Sequence, residues 1–415
     1  MTETILRTHA EARASDYQAV GLSVEKVWKV QAWGLTLLTF MSFFPRLFHI
    51  EEYLFFPLLA VTVLMIWKSG ESIRIRSPID LPLWLFVGWV LVSVPFATDP
   101  AYSFAEWRKI IAQVLVFYWA LLVLRRHSHE AMSNRLLSAV VIATALLGAY
   151  AITDFMSRGG TWRDRYVRAG APYSDYNWLS TYMVIALPLL AAAAVRWRVS
   201  WKRILSTGVV LLALLAQAIS YTRAGWLGMV AQGLSFGLFT ARRRLVLGVL
   251  VGCLLLGGGL VTLSQVGYQR DTVDPWTLQA RLAVWKLGFS DILEHPFVGV
   301  GYGSNTFMKR FAGYPETIKA DGPHSTLLMV TMGSGVPALV FLIWIFVSGI
   351  RTLIRQAKVE ADHQRYAVMI AVAVMMVGFA TRNFFDYMFA GSLAYLFWML
   401  VAWGLNAGEK GEVKG

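Results

Sequence analysis

The 415-residue chain contains a single cysteine, Cys253, and it lies inside an apolar run. Intramolecular disulfides and cysteine-based metal sites are therefore excluded. Charged side chains make up only 15% of the residues, against 57% hydrophobic. That balance is too apolar for a soluble globular domain and fits a multi-span membrane protein. The first 26 residues are polar and mixed in charge, with no apolar core leading to a small-residue cleavage site, so no signal peptide is expected. The loops assigned below to the outer side hold no Asp-x-Asp and no histidine pair at ligand spacing, only "HIEE" (49–52) and single acids. A metal site and a cofactor are thus not expected. Nor does any serine or cysteine stand in a recognisable nucleophile motif.

What the chain does have is apolar runs near the ~20 residues that an α-helix needs to cross a bilayer. Twelve are expected: 28–48, 53–67, 80–96, 110–124, 136–154, 178–195, 204–220, 225–240, 245–264, 326–350, 366–381 and 389–405. The expected fold is an all-α polytopic bundle. Its parts are an N-terminal segment 1–27, nine spans over 28–264, a long loop 265–325 with an amphipathic helix, three spans over 326–405, and a tail 406–415.

The basic residues sort by side. The N-terminus, the alternate loops that include "RRHSHEAMSNR" (125–135) and "RWRVSWKR" (196–203), and the C-terminus carry 23 of the 38 Lys and Arg. With the 25 acids divided 11 and 14, the two sides have net charges of +12 and +1. The positive-inside rule puts both termini in the cytoplasm and the remaining loops outside. The high pI is then a topology signal and gives no reason to expect nucleic-acid binding.

Against that rule, the outer loops keep several arginines. Arg158, Arg163, Arg165 and Arg168 lie in 155–177, Arg223 in the tight turn "SYTRAGWLG", Arg281 in the long loop, and Arg382 in "TRNFFDY". Headgroup anchoring or pairing with neighbouring acids accounts for each one singly. Together they suggest an anion site at the depth of lipid phosphates, where Arg is the preferred bidentate partner.

In the long loop, Asp274-Pro275 reads as a helix start. Leu278, Leu282, Trp285, Phe289, Ile292 and Leu293 recur at helical spacing, and Pro296 ends the helix near His295. His295 reads as a helix-terminal partner. "GVGYGSN" (299–305) is a glycine-rich turn that serves chain reversal or, less commonly, an anion. His324 follows a rigid "DGP" turn at the mouth of an apolar run, beside the arginines. A structural imidazole and a catalytic base fit those residues equally. Several Arg, one His and a lipid-accessible entrance suit a transfer whose leaving group is a lipid pyrophosphate.

Three segments, "SYTRAGWLG", "ARLAVWKLGFSDILEHPFVGVGYGSNTF" and "GPHSTLLMVTMGSGVPALV", resemble in order and spacing the O-antigen ligase family. That superfamily includes O-antigen polymerases and pilin-type O-oligosaccharyltransferases. The resemblance implies a metal-independent, inverting GT-C glycosyltransferase of the bacterial inner membrane with a periplasmic active site. Its donor would be an undecaprenyl-pyrophosphate-linked glycan, its acceptor lipid A–core, and its surroundings membrane lipids. It further implies diphosphate binding by Arg223 and Arg281 and acceptor activation by His324, with Arg158, Arg163, Arg165, Arg168 and Arg382 as candidate contacts to substrate phosphates. Two positions depart from the family pattern: Ser325 follows the histidine where Asn is common, and the turn reads Arg-Ala-Gly-Trp where Arg-Gly-Ala-Trp is frequent. A polymerase or a protein O-oligosaccharyltransferase would keep the same three residues. A transporter is disfavoured by the lack of mid-span acids; Gln113, Gln217 and Gln232 read as helix-packing hydrogen bonds.

Overall fold

A computed structural model describes residues 24–45, 48–69, 75–161, 167–172, 176–197, 200–253, 275–314 and 322–407. Among these residues the regular structure is helical, with no strand. The helices are α1 (Val24–Met41), α2 (Phe48–Ser69), α3 (Asp80–Ser93), α4 (Pro100–Arg125), α5 (His129–Ser157), α6 (Tyr176–Arg196), α7 (Ser200–Ser220) and α8 (Arg223–Phe239). They continue with α9 (243–253), α10 (Pro275–Glu294), α11 (Ser304–Arg310), α12 (Thr326–Val359), α13 (His363–Phe384) and α14 (Gly391–Ala407). The expected N-terminal segment through 23, the second half of the ninth run and the tail from 408 lie outside the described residues.

Local chemistry starts the helices where the apolar runs begin. Asp99, Ser128, Ser325 and Asp362 each accept a hydrogen bond from a first-turn amide of α4, α5, α12 and α13. Such caps satisfy donors that a helix leaves orphaned at its start.

Among the described residues, six helices are long and apolar enough to cross a membrane: α4, α5, α6, α7, α12 and α13. The stretch 80–96 and α14 are apolar but shorter. At the centre, α14 is buried almost along its whole length and packs on α1, α2, α4, α6, α12 and α13. A helix apolar on every face has to be enclosed in this way. Trp33, Trp67, Leu211, Leu247 and Val251 on the outer helices are exposed, a lining suited to lipid rather than water. Close approach relies on small residues: a Cβ at Gly225 would lie 2.0 Å from Ser180 Oγ, so α8 can rest on α6 only with glycine there.

The long helix α12 is broken. Gly335 has φ +80°, and a Cβ there would lie 1.9 Å from Phe297 O. The break releases backbone groups that other segments take up. Val300 N donates to Met332 O (2.9 Å), Gly301 N to Gly333 O (2.8 Å) and Val336 N to Pro296 O (2.8 Å). Trp89 Nε1 donates to Ser334 O (3.0 Å), and Ser93 Oγ lies 2.9 Å from Ser334 Oγ. Irregular backbone inside a membrane protein is tolerated where protein satisfies it in this manner. The segment Pro296–Gly301 is thereby locked onto the "GSGVP" break. The first turns of α12 bridge the end of α13, through Thr326, and the end of α3, through Ser334.

Candidate functional site

At the end of the bundle where α12 begins, His324 sits in the turn before the helix with φ +45°, a left-handed conformation uncommon outside glycine. The rigid Gly-Pro sequence before it and the Ser325 cap after it hold that conformation. The imidazole is 31% exposed, and its Nδ1 lies 3.7 Å from Asp386 Oδ1. At that distance the contact is electrostatic; a small closure would make it a hydrogen bond. With Nδ1–H turned to Asp386, Nε2 is the nitrogen left to accept a proton.

Asp386 is fixed from several sides. Arg382, one turn back on α13 and fully buried, donates from Nη2 to Oδ2 (3.2 Å), and Tyr387 N donates to Oδ1 (3.0 Å). Burial alone would raise the carboxyl pKa. The His324 imidazole and the Arg382 guanidinium outweigh it and hold the value down at about 2. Arg382 also donates to Asn177 Oδ1 (3.1 Å) at the start of α6. Thr326 locks the beginning of α12 to the same corner, with N donating to Asp386 O (3.1 Å) and Oγ1 to Asn383 Oδ1 (2.7 Å).

Next to that corner is the Arg223 turn. Thr222 Oγ1 donates to Tyr176 O (3.4 Å), beside Asn177, and Gln217 Nε2 donates to Thr222 O (3.2 Å). Arg223 is the first residue of α8 and is exposed. A cation at the positive end of a helix dipole is unfavourable by itself, and the two together attract an anion. Arg281 is half-buried on α10, one turn before Trp285. Trp285 Nε1 donates to Pro323 O (3.0 Å), directly before His324, and its ring meets Phe384 edge-on. The indole thus ties the Arg281 helix to the histidine turn.

The other arginines fall differently. Arg382 supports Asp386 from inside and presents no exposed surface. Arg158 pairs with Asp154 and donates to Arg168 O, while Arg168 stacks over the Tyr176 ring at 4.7 Å. Arg163 and Arg165 lie outside the described residues. The amides of Val300 and Gly301 in the glycine-rich turn are spent on α12 carbonyls, so chain locking is what that turn does. Asp386, Asn177 and Asn383 were not singled out from the sequence. The one available signal was Asp386 four residues after Arg382, the spacing of a helical ion pair.

A histidine–carboxylate pair thus stands at the rim of an apolar helical bundle of the kind found in multi-pass membrane proteins. Residues 208–343 match the family model described as O-antigen ligase. The match contains Arg223, Arg281, His324 and the "GSGVP" break, and it supports assignment of this part of the chain to the O-antigen ligase family. No curated protein matches the chain.

Proposed function

We propose that the protein is an O-antigen ligase of the bacterial inner membrane, moving a glycan from undecaprenyl pyrophosphate to lipid A–core on the periplasmic face. The carrying observation is the His324–Asp386 pair on a corner shared with the Arg223 turn and, through Trp285, with Arg281. In this reading His324 Nε2 accepts the proton of an acceptor sugar hydroxyl. The hydroxyl oxygen bonds to the anomeric carbon while the bond to the pyrophosphate oxygen breaks, with inversion. The leaving pyrophosphate carries away the electron pair, and Arg223 and Arg281 neutralise it, the part a metal plays elsewhere. Asp386 orients the imidazole and stabilises its protonated form, the part of the third member in a catalytic triad. Arg382 is a positioning residue, one step removed from substrate.

The charge asymmetry of the loops supports twelve spans with cytoplasmic termini and the His324 end outside, and the family resemblance adds the GT-C arrangement. Arg168, near the Arg223 turn through Tyr176, is suited to phosphates of the acceptor. The test is acceptor choice by the reconstituted full chain, given undecaprenyl-pyrophosphate glycan with or without lipid A–core in metal-free buffer. Glycan on lipid A–core is the expected result. Longer glycan that stays on undecaprenyl pyrophosphate would replace this reading with a polymerase.

A further inference from the structure

At the far end of α10 from Arg281, three metal-ligating side chains converge in a place the transfer reaction does not use. Asp291, Glu294 and His295 occupy positions i, i+3 and i+4, on one face of the last helical turn, and their ligand atoms all lie within 4.8 Å of one another. Asp291 is only 3% exposed, and its Oδ2 has no hydrogen-bond partner. His295 Nδ1 is buried and unpartnered as well, 3.8 Å from Asp291 Oδ1. A buried polar atom left unsatisfied is costly, and this cluster holds two of them, Asp291 Oδ2 and His295 Nδ1.

The other side of the cluster is already compensated. Arg310 from α11 donates from Nε to Asp291 Oδ1 (3.0 Å), and its Nη2 lies 3.9 Å from Glu294 Oε2. One guanidinium therefore spans both carboxylates and leaves Oδ2 and the imidazole unanswered. Glu294 is 67% exposed at its side chain, so it can swing to close the gap. Ligand atoms in a tetrahedral zinc site stand roughly 3.4 Å apart, as bond lengths near 2.1 Å require. Closing to that spacing needs a rotamer change at the exposed Glu294 and a turn of the imidazole.

We infer that Asp291 Oδ2, Glu294 and His295 Nδ1 form a binding site for a transition-metal dication, zinc in the first instance, with water completing the shell. One imidazole nitrogen with two carboxylates suits zinc over calcium or magnesium, which prefer all-oxygen shells. The site lies at the C-terminus of α10, directly before the Pro296–Gly301 segment that is locked into the α12 break. Its work is to staple the last turn of α10; it takes no part in the transfer and stands independently of the proposed acceptor. Arg310 is the competing counter-charge, so dication and guanidinium contend for the same carboxylates.

The experiment is zinc binding by the full chain in lipid nanodiscs, freed of metal by chelator, with bound zinc and thermal unfolding read together. One zinc per chain is expected, with a higher unfolding temperature. His295→Ala and Asp291→Asn should each weaken binding by roughly tenfold or more, and Glu294→Gln, at an exposed position that does not threaten folding, by less. Arg310→Gln should tighten it by removing the competitor. Zinc no higher than on empty nanodiscs, or binding unchanged in Glu294→Gln and His295→Ala, would overturn the site. Weaker binding in Arg310→Gln would do the same, since the cluster would then be an ion pair and nothing more.

Discussion

The proposed base and the arginines proposed to hold the donor are held in contrasting ways. His324 and Asp386 rest on a largely buried corner, where Arg382, Asn177, Asn383 and Thr326 join α6, α12 and α13. Arg223 and Arg281 project from a helix start and from an outlying helix, the latter tied to the histidine turn by the Trp285 bond. The difference teaches a division of labour. Proton transfer needs a group placed to within a fraction of an ångström, so the base is bolted to the core. In the proposed reading a diphosphate on a long lipid has to be admitted and released, and its partners lie at the exposed start of α8 and on the outlying α10.

This contrast can be broken at several points. The largest effect is expected at the base: His324→Ala should lower turnover by roughly 10²–10⁴-fold while donor still binds, and undiminished turnover in a reconstituted assay would refute the assignment. Asp386→Asn should reduce turnover in the same range with little change in donor affinity, since the imidazole loses its orienting carboxylate. A rise in donor KM alone would move Asp386 to the donor side of the comparison. Arg382→Ala removes one partner of a buried pair, and a loss of about 3–5 kcal/mol in unfolding free energy is expected. A variant as stable as the parent would show that the core fastening is not what holds the corner.

The acid limb gives a smaller signal. The Asp386 carboxyl is held at about 2 in the folded protein, below its unfolded value of about 3.8. A depressed carboxyl contributes stability that is complete above the unfolded pKa and is lost as pH falls through the folded one. The parent should therefore lose more stability than Asp386→Asn between about pH 4 and pH 2, by roughly 2 kcal/mol. Parallel acid-unfolding curves would contradict the pairing. The smallest effects belong to Arg223→Lys and Arg281→Lys. Keeping the charge but losing the bidentate fork should raise donor KM more than it lowers kcat, and equal falls in both variants' kcat would place them with the base.

Much of this was legible in the linear chain. The apolar runs coincide with the helices because burial in a bilayer-like core leaves little room for other patterns, and Pro296 closes α10 where expected. Arg223, Arg281 and His324 stood out because charge is scarce around them. The Asp386 corner did not, since it joins Asn177 to residues more than 200 positions later, and no spacing rule reaches so far. Arg382 looked like a surface cation by composition, yet its place on the inner face of α13 buries it. The glycine segments "GVGYG" and "GSGVP" looked like separate turns. Their relation is carried by backbone hydrogen bonds, which leave no mark in side-chain chemistry.

The interlock at the α12 break also sets an order of assembly. Trp89 and Ser93 on α3 find their partner Ser334 only after some 240 further residues have been synthesised. Asp386 lies later still, so the base acquires its carboxylate only as the last two helices enter the bundle. A nascent chain therefore carries its arginines in the membrane long before it can move a proton. In the proposed reading its chemistry switches on with completion, since a chain stopped before α13 lacks the Asp386 carboxylate beside His324.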